Sequence, residues 1–241
     1  MPQNATYISS ADLASPRKTG RWLGFGLLLS LGLGVYSNFQ LQNAFMAPPG
    51  FLQRAAGMPA QIGTAVLIGL FTAMISLGIA VALRGLYGLQ QPWLSRFYLA
   101  LVAAGLATSL IEGSLFVAMG ELSTTFLATG TDPSAYEPVR ALLRGLRNGI
   151  HYPDKLLGGI CVTLMFALLL RARALPRWMA MAGIAASACQ CIAVTRELFG
   201  HNTIYALLAP LALLFLCTGL WLLFKGLPVP NSDAAAEHAP S

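Results

Sequence analysis

The stretch "IGTAVLIGLFTAMISLGIAVAL", residues 62–83, is apolar along its whole length and contains no charged side chain. An α-helix needs about 20 consecutive apolar residues to cross the hydrocarbon core of a bilayer. A run of this length is too long for a strand, and it lacks the alternation typical of outer-membrane barrels. A helix also satisfies its own backbone hydrogen bonds, as lipid requires. The stretch therefore predicts a transmembrane helix.

The rest of the chain shares this apolar character. Of its 241 residues, 56% are hydrophobic and only 10% are charged, with a mean hydropathy of +0.65. A soluble domain carries about 25% charged residues, which solvate its surface. The composition therefore predicts an all-α, polytopic integral membrane protein whose main partner is the lipid bilayer.

Further apolar runs predict a bundle of about six transmembrane helices within residues 21–226. Residues 1–20 and 227–241 are polar and are predicted to be disordered segments. The six spans are Trp22–Ala44, Ile62–Leu83, Phe97–Met119, Pro153–Leu170, Trp178–Leu198 and Ile204–Phe224.

Basic residues set the predicted orientation. With six spans, nine of the 15 Lys and Arg residues fall on the side that carries both termini. The positive-inside rule places that side in the cytoplasm. All four tryptophans would lie at the same interface, where amphipathic rings anchor a membrane protein. The excess of basic residues is thus explained by the orientation in the membrane. The sequence shows no basic patch on a soluble domain, which nucleic-acid binding would need. The four are Trp22, Trp93, Trp178 and Trp221.

The longest predicted connection, residues 120–152, contains the segment "SAYEPVRALLRGLRNGI" at 134–150. At helical spacing its apolar residues fall on one face and three arginines on the other, which predicts an amphipathic helix lying in the outer interface. It would be a surface helix joining distant spans, a lid over an outward pocket, or a docking surface for anionic head groups. The arginines are Arg140, Arg144 and Arg147.

The stretch "RNGIHYPDKLLGG", residues 147–159, places two charges at the predicted start of the fourth span. After Pro153, Asp154 would complement the positive end of the helix dipole in the first turn. Lys155 would be unfavourable in that turn. We therefore predict that Lys155 pairs with Glu112 or Glu197.

Ionisable and amide side chains within spans indicate a candidate site, because such groups are costly in a bilayer. They converge on the outer half of the bundle. Three interpretations remain open: an ion-pair and hydrogen-bond network that locks helix packing, a polar pocket for a small solute or lipid head group, and a catalytic site using Glu112 and His151. The candidate residues are Glu112, Lys155, Asp154, Glu197, Gln190, Asn38, Gln42, His151 and Arg196.

Nothing in the sequence predicts a cofactor or a metal. The four cysteines lie inside predicted spans, where a free thiol behaves as a small hydrophobic group. Haem would need axial ligands that face each other across helices, whereas His151 and His201 lie at predicted helix ends. No metal-binding motif is present.

Three segments together resemble an uncharacterised bacterial membrane family, domain of unknown function 4386. They are "RWLGFGLLL" at 21–29, "RARALPRWMAMAGIAA" at 171–186 and "GLWLLFKGLP" at 219–228. The resemblance covers roughly residues 20–228. It implies a six-helix protein of the bacterial inner membrane and supplies no activity and no catalytic residues.

The sequence thus predicts a non-enzymatic inner-membrane protein that binds or transports a small solute or lipid through an outward-facing polar pocket. One alternative is a structural or regulatory subunit whose polar residues only lock helix packing. A second is a membrane-embedded enzyme that acts on a lipid-soluble substrate.

Overall fold

A computed structural model describes residues 15–130, 132–202 and 204–228, and within these ranges all regular structure is helical. Proline at the first or second position starts five of the six long helices, where its missing N–H costs no hydrogen bond. The helices are α1 (Pro16–Tyr36), α2 (Pro59–Tyr87), α3 (Pro92–Thr129), α4 (Pro133–Arg171), α5 (Arg177–Leu198) and α6 (Ala209–Lys225).

Within the described ranges, five helical segments are long and apolar enough to cross a membrane, which confirms an all-helical, multi-pass membrane protein. They are Pro16–Met46, which continues α1, and the helices α2, α3, α4 and α5. The sixth apolar helix, α6, has 17 residues and is shorter than the predicted span Ile204–Phe224. The first part of the predicted span instead forms a short 3-10 helix at Tyr205–Leu207.

The six helices form a closed ring in chain order. Each packs against the helix before it and the helix after it, and α1 also packs against α6. Short turns join α2 to α3, α3 to α4 and α4 to α5, and such turns produce antiparallel neighbours. The ring closes where α1 and α6 approach backbone to backbone: a Cβ on Gly24 would lie 2.5 Å from the carbonyl oxygen of Gly219.

Both ends of the described chain lie at one end of the bundle. The Tyr87 hydroxyl, at the end of α2, donates a hydrogen bond to the carbonyl of Pro228 at 3.5 Å. Arg171 Nη1, at the end of α4, donates to Gln91 Oε1 at 3.4 Å. The turns after α2 and α4 therefore share this end with the residues before α1 and after α6.

At the opposite end, α1 continues into a compact connection to α2. A π-helical segment, Ser37–Gln42, leads through Asn43–Met46 to a short helix, Phe51–Arg54. Ser123 of α3 is fully buried and holds this connection. Its hydroxyl accepts from the Ala56 N–H and donates to the Leu52 carbonyl, both at 2.8 Å.

The prediction of a long third loop with a separate interfacial helix differs from the structure. Helix α3 extends to Thr129, and α4 begins at Pro133 after a turn through Gly130. Gly130 adopts the left-handed conformation (φ 59°), which glycine allows without a steric penalty. The predicted amphipathic segment is therefore the first half of α4.

Pro153 consequently lies inside α4 rather than at the start of a span. Its missing N–H leaves the carbonyl of Gly149 without the usual intrahelical donor. The helix starts instead at Asp132, whose carboxylate accepts the Ser134 backbone N–H at 3.0 Å. Hydrogen bonds from Ser134 hold the pKa of Asp132 below its ordinary value.

The boundaries of the membrane domain also move outward from the prediction. Residues 16–20 are helical rather than disordered, and Leu227 is buried against the bundle. The remaining parts of the predicted disordered segments, residues 1–14 and 229–241, lie outside the described residues.

Two apolar clusters fill the bundle. The larger occupies the half that contains the chain ends and includes Tyr87, Phe166 and Leu222. The smaller lies at the opposite half and includes Phe45, Phe116 and Met119. The polar side chains of the candidate site lie where α3 and α4 pass between these clusters.

Candidate functional site

Glu112 is the centre of the polar cluster. It lies on α3 with only 8% of its surface exposed, and its Oε1 is 2.6 Å from His151 Nδ1 on α4. Glu112 follows the start of α3 by 20 residues, which places it ~30 Å along the helix. The pair therefore lies in the half of the bundle remote from the chain ends.

Arg147 also belongs to this cluster, although its spacing predicted a position on the polar face of an interfacial helix. Its Nε lies 3.5 Å from Glu112 Oε1, and its Cζ lies 5.7 Å from the Phe116 ring centroid. Nε forms an ion pair without a well-directed hydrogen bond, whereas Nη2 donates to Gln42 Oε1 at 3.2 Å. The guanidinium of α4 therefore connects α3 with the π-helical segment after α1.

The spacing of the polar residues could have placed Arg147 in the cluster. Arg147, His151 and Asp154 follow one another by four and three residues, so they share a face of one continuous helix. Placing a helix start at Pro153 divided that face into two parts. Proline favours a helix start because it lacks the backbone donor that an interior position uses, but α4 continues through Pro153.

The π-helical segment of α1 positions Gln42. Residues five apart face the same direction in a π-helix, and Gln42 Nε2 lies 3.4 Å from Ser37 Oγ, five residues earlier. Gln42 thus donates to its own helix and accepts from Arg147. Asn38, also predicted, is exposed and donates to the Gly34 carbonyl at 2.9 Å.

Lys155 pairs with Asp154 rather than with Glu112 or Glu197, so the predicted pairing is wrong. Lys155 Nζ lies 3.3 Å from Asp154 Oδ2, while Thr108 of α3 donates to the other carboxylate oxygen. Since α4 begins 21 residues earlier, Asp154 is not a first-turn residue and the helix-dipole explanation does not apply. Gln190 of α5 donates to the Lys155 carbonyl at 3.0 Å.

The remaining candidates lie outside this cluster. Glu197, near the end of α5, interacts with Tyr152 of α4. Arg196 is exposed. The structure therefore brings together Glu112, His151, Asp154, Lys155, Gln42 and Gln190, and adds Arg147 and Thr108.

A cavity of about 120 Å³ adjoins the cluster. Glu112 and Lys155 contribute opposite charges to its wall, and hydroxyl and amide side chains of α1, α2 and α3 line much of the rest. These polar wall residues are Ser37, Asn38, Gln42, Thr72 and Ser109. A volume of this size accepts a few water molecules or a small polar solute.

The cluster balances its charges. The carboxylates of Glu112 and Asp154 face the cations of Arg147 and Lys155, which limits the cost of placing charge near lipid. The short Glu112–His151 contact also permits proton transfer between the two side chains. Within the ranges that the structure describes, no three His, Cys, Asp or Glu side chains come together to hold a metal ion.

The fold and the site define a multi-pass α-helical membrane protein with a buried, charge-balanced polar cluster between two apolar layers. The chain belongs to the family described as Domain of unknown function (DUF4386), whose model matches residues 22–226. This match confirms the resemblance found in the sequence. A search of curated proteins and a search of solved structures each return no match.

Proposed function

We propose that this protein is a non-enzymatic, six-span protein of the bacterial inner membrane that binds or transports a small polar solute or lipid head group. Both termini face the cytoplasm, and the polar pocket opens to the outside. The basic residues and the exposed tryptophans at the end of the bundle that carries the chain ends support this orientation.

The observation that carries the proposal is the cavity beside Glu112. A cluster used only for packing needs no empty space, yet a cavity of about 120 Å³ is bounded by Glu112, Lys155 and Gln42. A small number of polar groups that converge on a concave site is the usual arrangement for ligand recognition. The adjoining His151 can exchange a proton with Glu112, which supports coupling of solute binding to proton uptake.

The test uses Glu112→Gln and Lys155→Met in the purified full-length protein. A panel of small polar solutes is screened by thermal shift, and every solute that stabilises the wild type is measured on both variants. We expect each variant to lose at least about tenfold in affinity, since each removes a charged partner.

Matched controls separate ligand effects from folding effects. Glu121→Gln changes an exposed carboxylate on the same helix, and Lys225→Met changes a lysine at the other end of the bundle. Unchanged solute responses in both site variants would contradict the pocket. The proposal also fails if no solute stabilises the wild type.

A structural role is the second candidate, and the dense pairing of the cluster favours it. Glu112, Arg147, Asp154 and Lys155 all have partners within the bundle. In that case the solute panel leaves the wild-type melting temperature unchanged, and a partner protein co-purifies.

A further inference from the structure

A second concave surface lies outside the polar cluster. This arginine cleft, of about 740 Å³, is formed between the first half of α4 and the connection after α1. Its α4 wall carries Glu137, Arg140, Arg144, Arg147, Asn148 and Tyr152, and its opposite wall carries Met46 and the segment 48–51. The volume is in the range that accepts a ligand of lipid-head-group size.

The α4 wall has an excess of positive charge. Arg140, Arg144 and Arg147 follow at spacings of four and three, so they line one helical face. Glu137 pairs with Arg140, with 2.7 Å between Oε2 and Nη2, and Glu112 of the polar cluster pairs with Arg147. Arg144 is exposed, and none of the described carboxylates lies within ion-pair distance of it.

The cleft lies at the level of the lipid head groups. Counting back from the end of α4 at Arg171, Arg147 and Arg140 lie ~36 and ~46 Å along the helix, beyond a hydrocarbon core about 30 Å thick. Apolar side chains on the other side of the same helical segment are exposed, with Leu142 at 60%. The segment thus presents an apolar surface outward and guanidinium groups into the cleft.

The opposite wall is apolar and close. Met46, Pro48 and Pro49 face the arginines, and Gly50 approaches so nearly that a Cβ there would lie 4.0 Å from Arg140 Nη1. Gly50 has a φ of 109°, which other residues rarely adopt. One side of the cleft therefore suits an anion, and the other suits the hydrocarbon or glycerol part of the same molecule.

We propose that the arginine cleft binds the phosphate group of a net-anionic amphiphile from the outer face of the membrane. A phosphodiester has two charged oxygens that several guanidinium groups can share, and arginine binds phosphate oxygens with a bidentate geometry. Apolar contacts with the wall that includes Pro48 and Pro49 favour a lipid over free phosphate. This site goes beyond the proposed function, because it requires no occupant in the cavity beside Glu112.

The experiment measures binding of dihexanoyl phosphatidylglycerol, dihexanoyl phosphatidylcholine and inorganic phosphate to the full-length protein in detergent by native mass spectrometry and thermal shift. We expect the wild type to prefer phosphatidylglycerol over phosphatidylcholine. Arg144→Gln weakens phosphatidylglycerol binding about tenfold, the loss expected for one charge-assisted contact. Arg144 is exposed, so this variant is expected to fold normally.

Two further variants make the test specific. Glu137→Gln releases Arg140 from its ion pair and strengthens binding, the opposite sign to Arg144→Gln. Arg177→Gln, an exposed arginine at the other end of the bundle, leaves binding unchanged. We expect inorganic phosphate to compete with phosphatidylglycerol and to respond to the same variants. That result supports the anion site and assigns the contacts to the phosphate group.

Equal binding of the two lipids, or a loss in Arg177→Gln as large as in Arg144→Gln, would overturn the proposal. Its failure is distinguishable from failure of the proposed function. Lys155→Met changes the wall of the inner cavity and not the cleft, whereas Arg144→Gln and Glu137→Gln alter only the cleft.

Discussion

At the scale of the residue, Arg147 determines how the site is organised. Its guanidinium contacts Gln42 in the π-helical segment after α1 and Glu112 on α3, while its own backbone belongs to α4. A charge in this position is tolerated only with partners, because a bilayer and a packed interior both penalise an unpaired ion. Arg147 is also the residue shared by the polar cluster and the arginine cleft.

The Glu112–Arg147 pair leads to a stability prediction. Glu112→Gln leaves a buried guanidinium without its carboxylate and is expected to cost about 3 kcal/mol in the free energy of unfolding. Arg147→Gln costs a similar amount. The double variant is expected to cost clearly less than the sum, because neither charge is then left alone. Unfolding in mixed detergent micelles measures all three, with the exposed Glu121→Gln as a control.

Additivity of the two single losses would contradict this prediction. It would mean that the 3.5 Å contact between Arg147 Nε and Glu112 Oε1 contributes no coupling.

At the scale of the element, glycines set how closely the helices of the ring approach. Gly183 on α5 faces the fully buried ring of Phe166 on α4, where a Cβ would lie 2.5 Å from the ring. Gly24 on α1 makes the corresponding close contact with the backbone of α6 at Gly219 and Leu223. Small residues at such crossings let backbones pack, which is how membrane helices associate without a hydrophobic driving force between them.

Two alanine substitutions on α1 test this role with opposite signs. Gly24→Ala places a methyl group 2.5 Å from the Gly219 oxygen and the Leu223 nitrogen, and it is expected to lower stability by about 3 kcal/mol, as overpacking does. Gly32→Ala meets no atom within 4 Å and is expected to raise stability slightly through helix propensity.

Thermal unfolding of both alanine variants checks the prediction. Similar melting temperatures for the two would contradict a close α1–α6 contact at Gly24.

At the scale of the whole molecule, ring closure through α1 and α6 places both ends of the described chain beside the turns after α2 and α4. The turn between α3 and α4 lies at the far end, since each of these helices extends well beyond the ~30 Å of a hydrocarbon core. The polar cluster and the arginine cleft belong to this far end.

Cysteine labelling tests the orientation proposed for the whole molecule. An impermeant maleimide applied to intact cells is expected to label Ala135→Cys, at the start of α4. It is expected to reach Leu89→Cys, Ser15→Cys and Pro228→Cys only after permeabilisation. All four positions are exposed in the structure. The wild-type chain, whose four cysteines lie within helices, provides the background.

The reverse labelling pattern would contradict cytoplasmic termini. Labelling of Pro228→Cys but not Ser15→Cys in intact cells would contradict an even number of spans.

Composition and spacing alone predict the all-helical membrane class, five of the spans and the central carboxylate of the polar cluster. Runs such as residues 62–83 leave a helix in lipid as the stable outcome, and the cost of Glu112 within an apolar span marks it as special. These are local properties of composition and spacing, so they can be read without knowing which helices are neighbours.

The partners of the charged groups follow from how the helices pack and cannot be read from local spacing. Lys155 faces Asp154, and Arg147 enters the interior because α4 continues through Pro153 and brings its N-terminal half against α1 and α3. An amphipathic pattern states which face of a helix is polar. It does not state whether water or another helix covers that face, because the cover comes from residues far away in the chain.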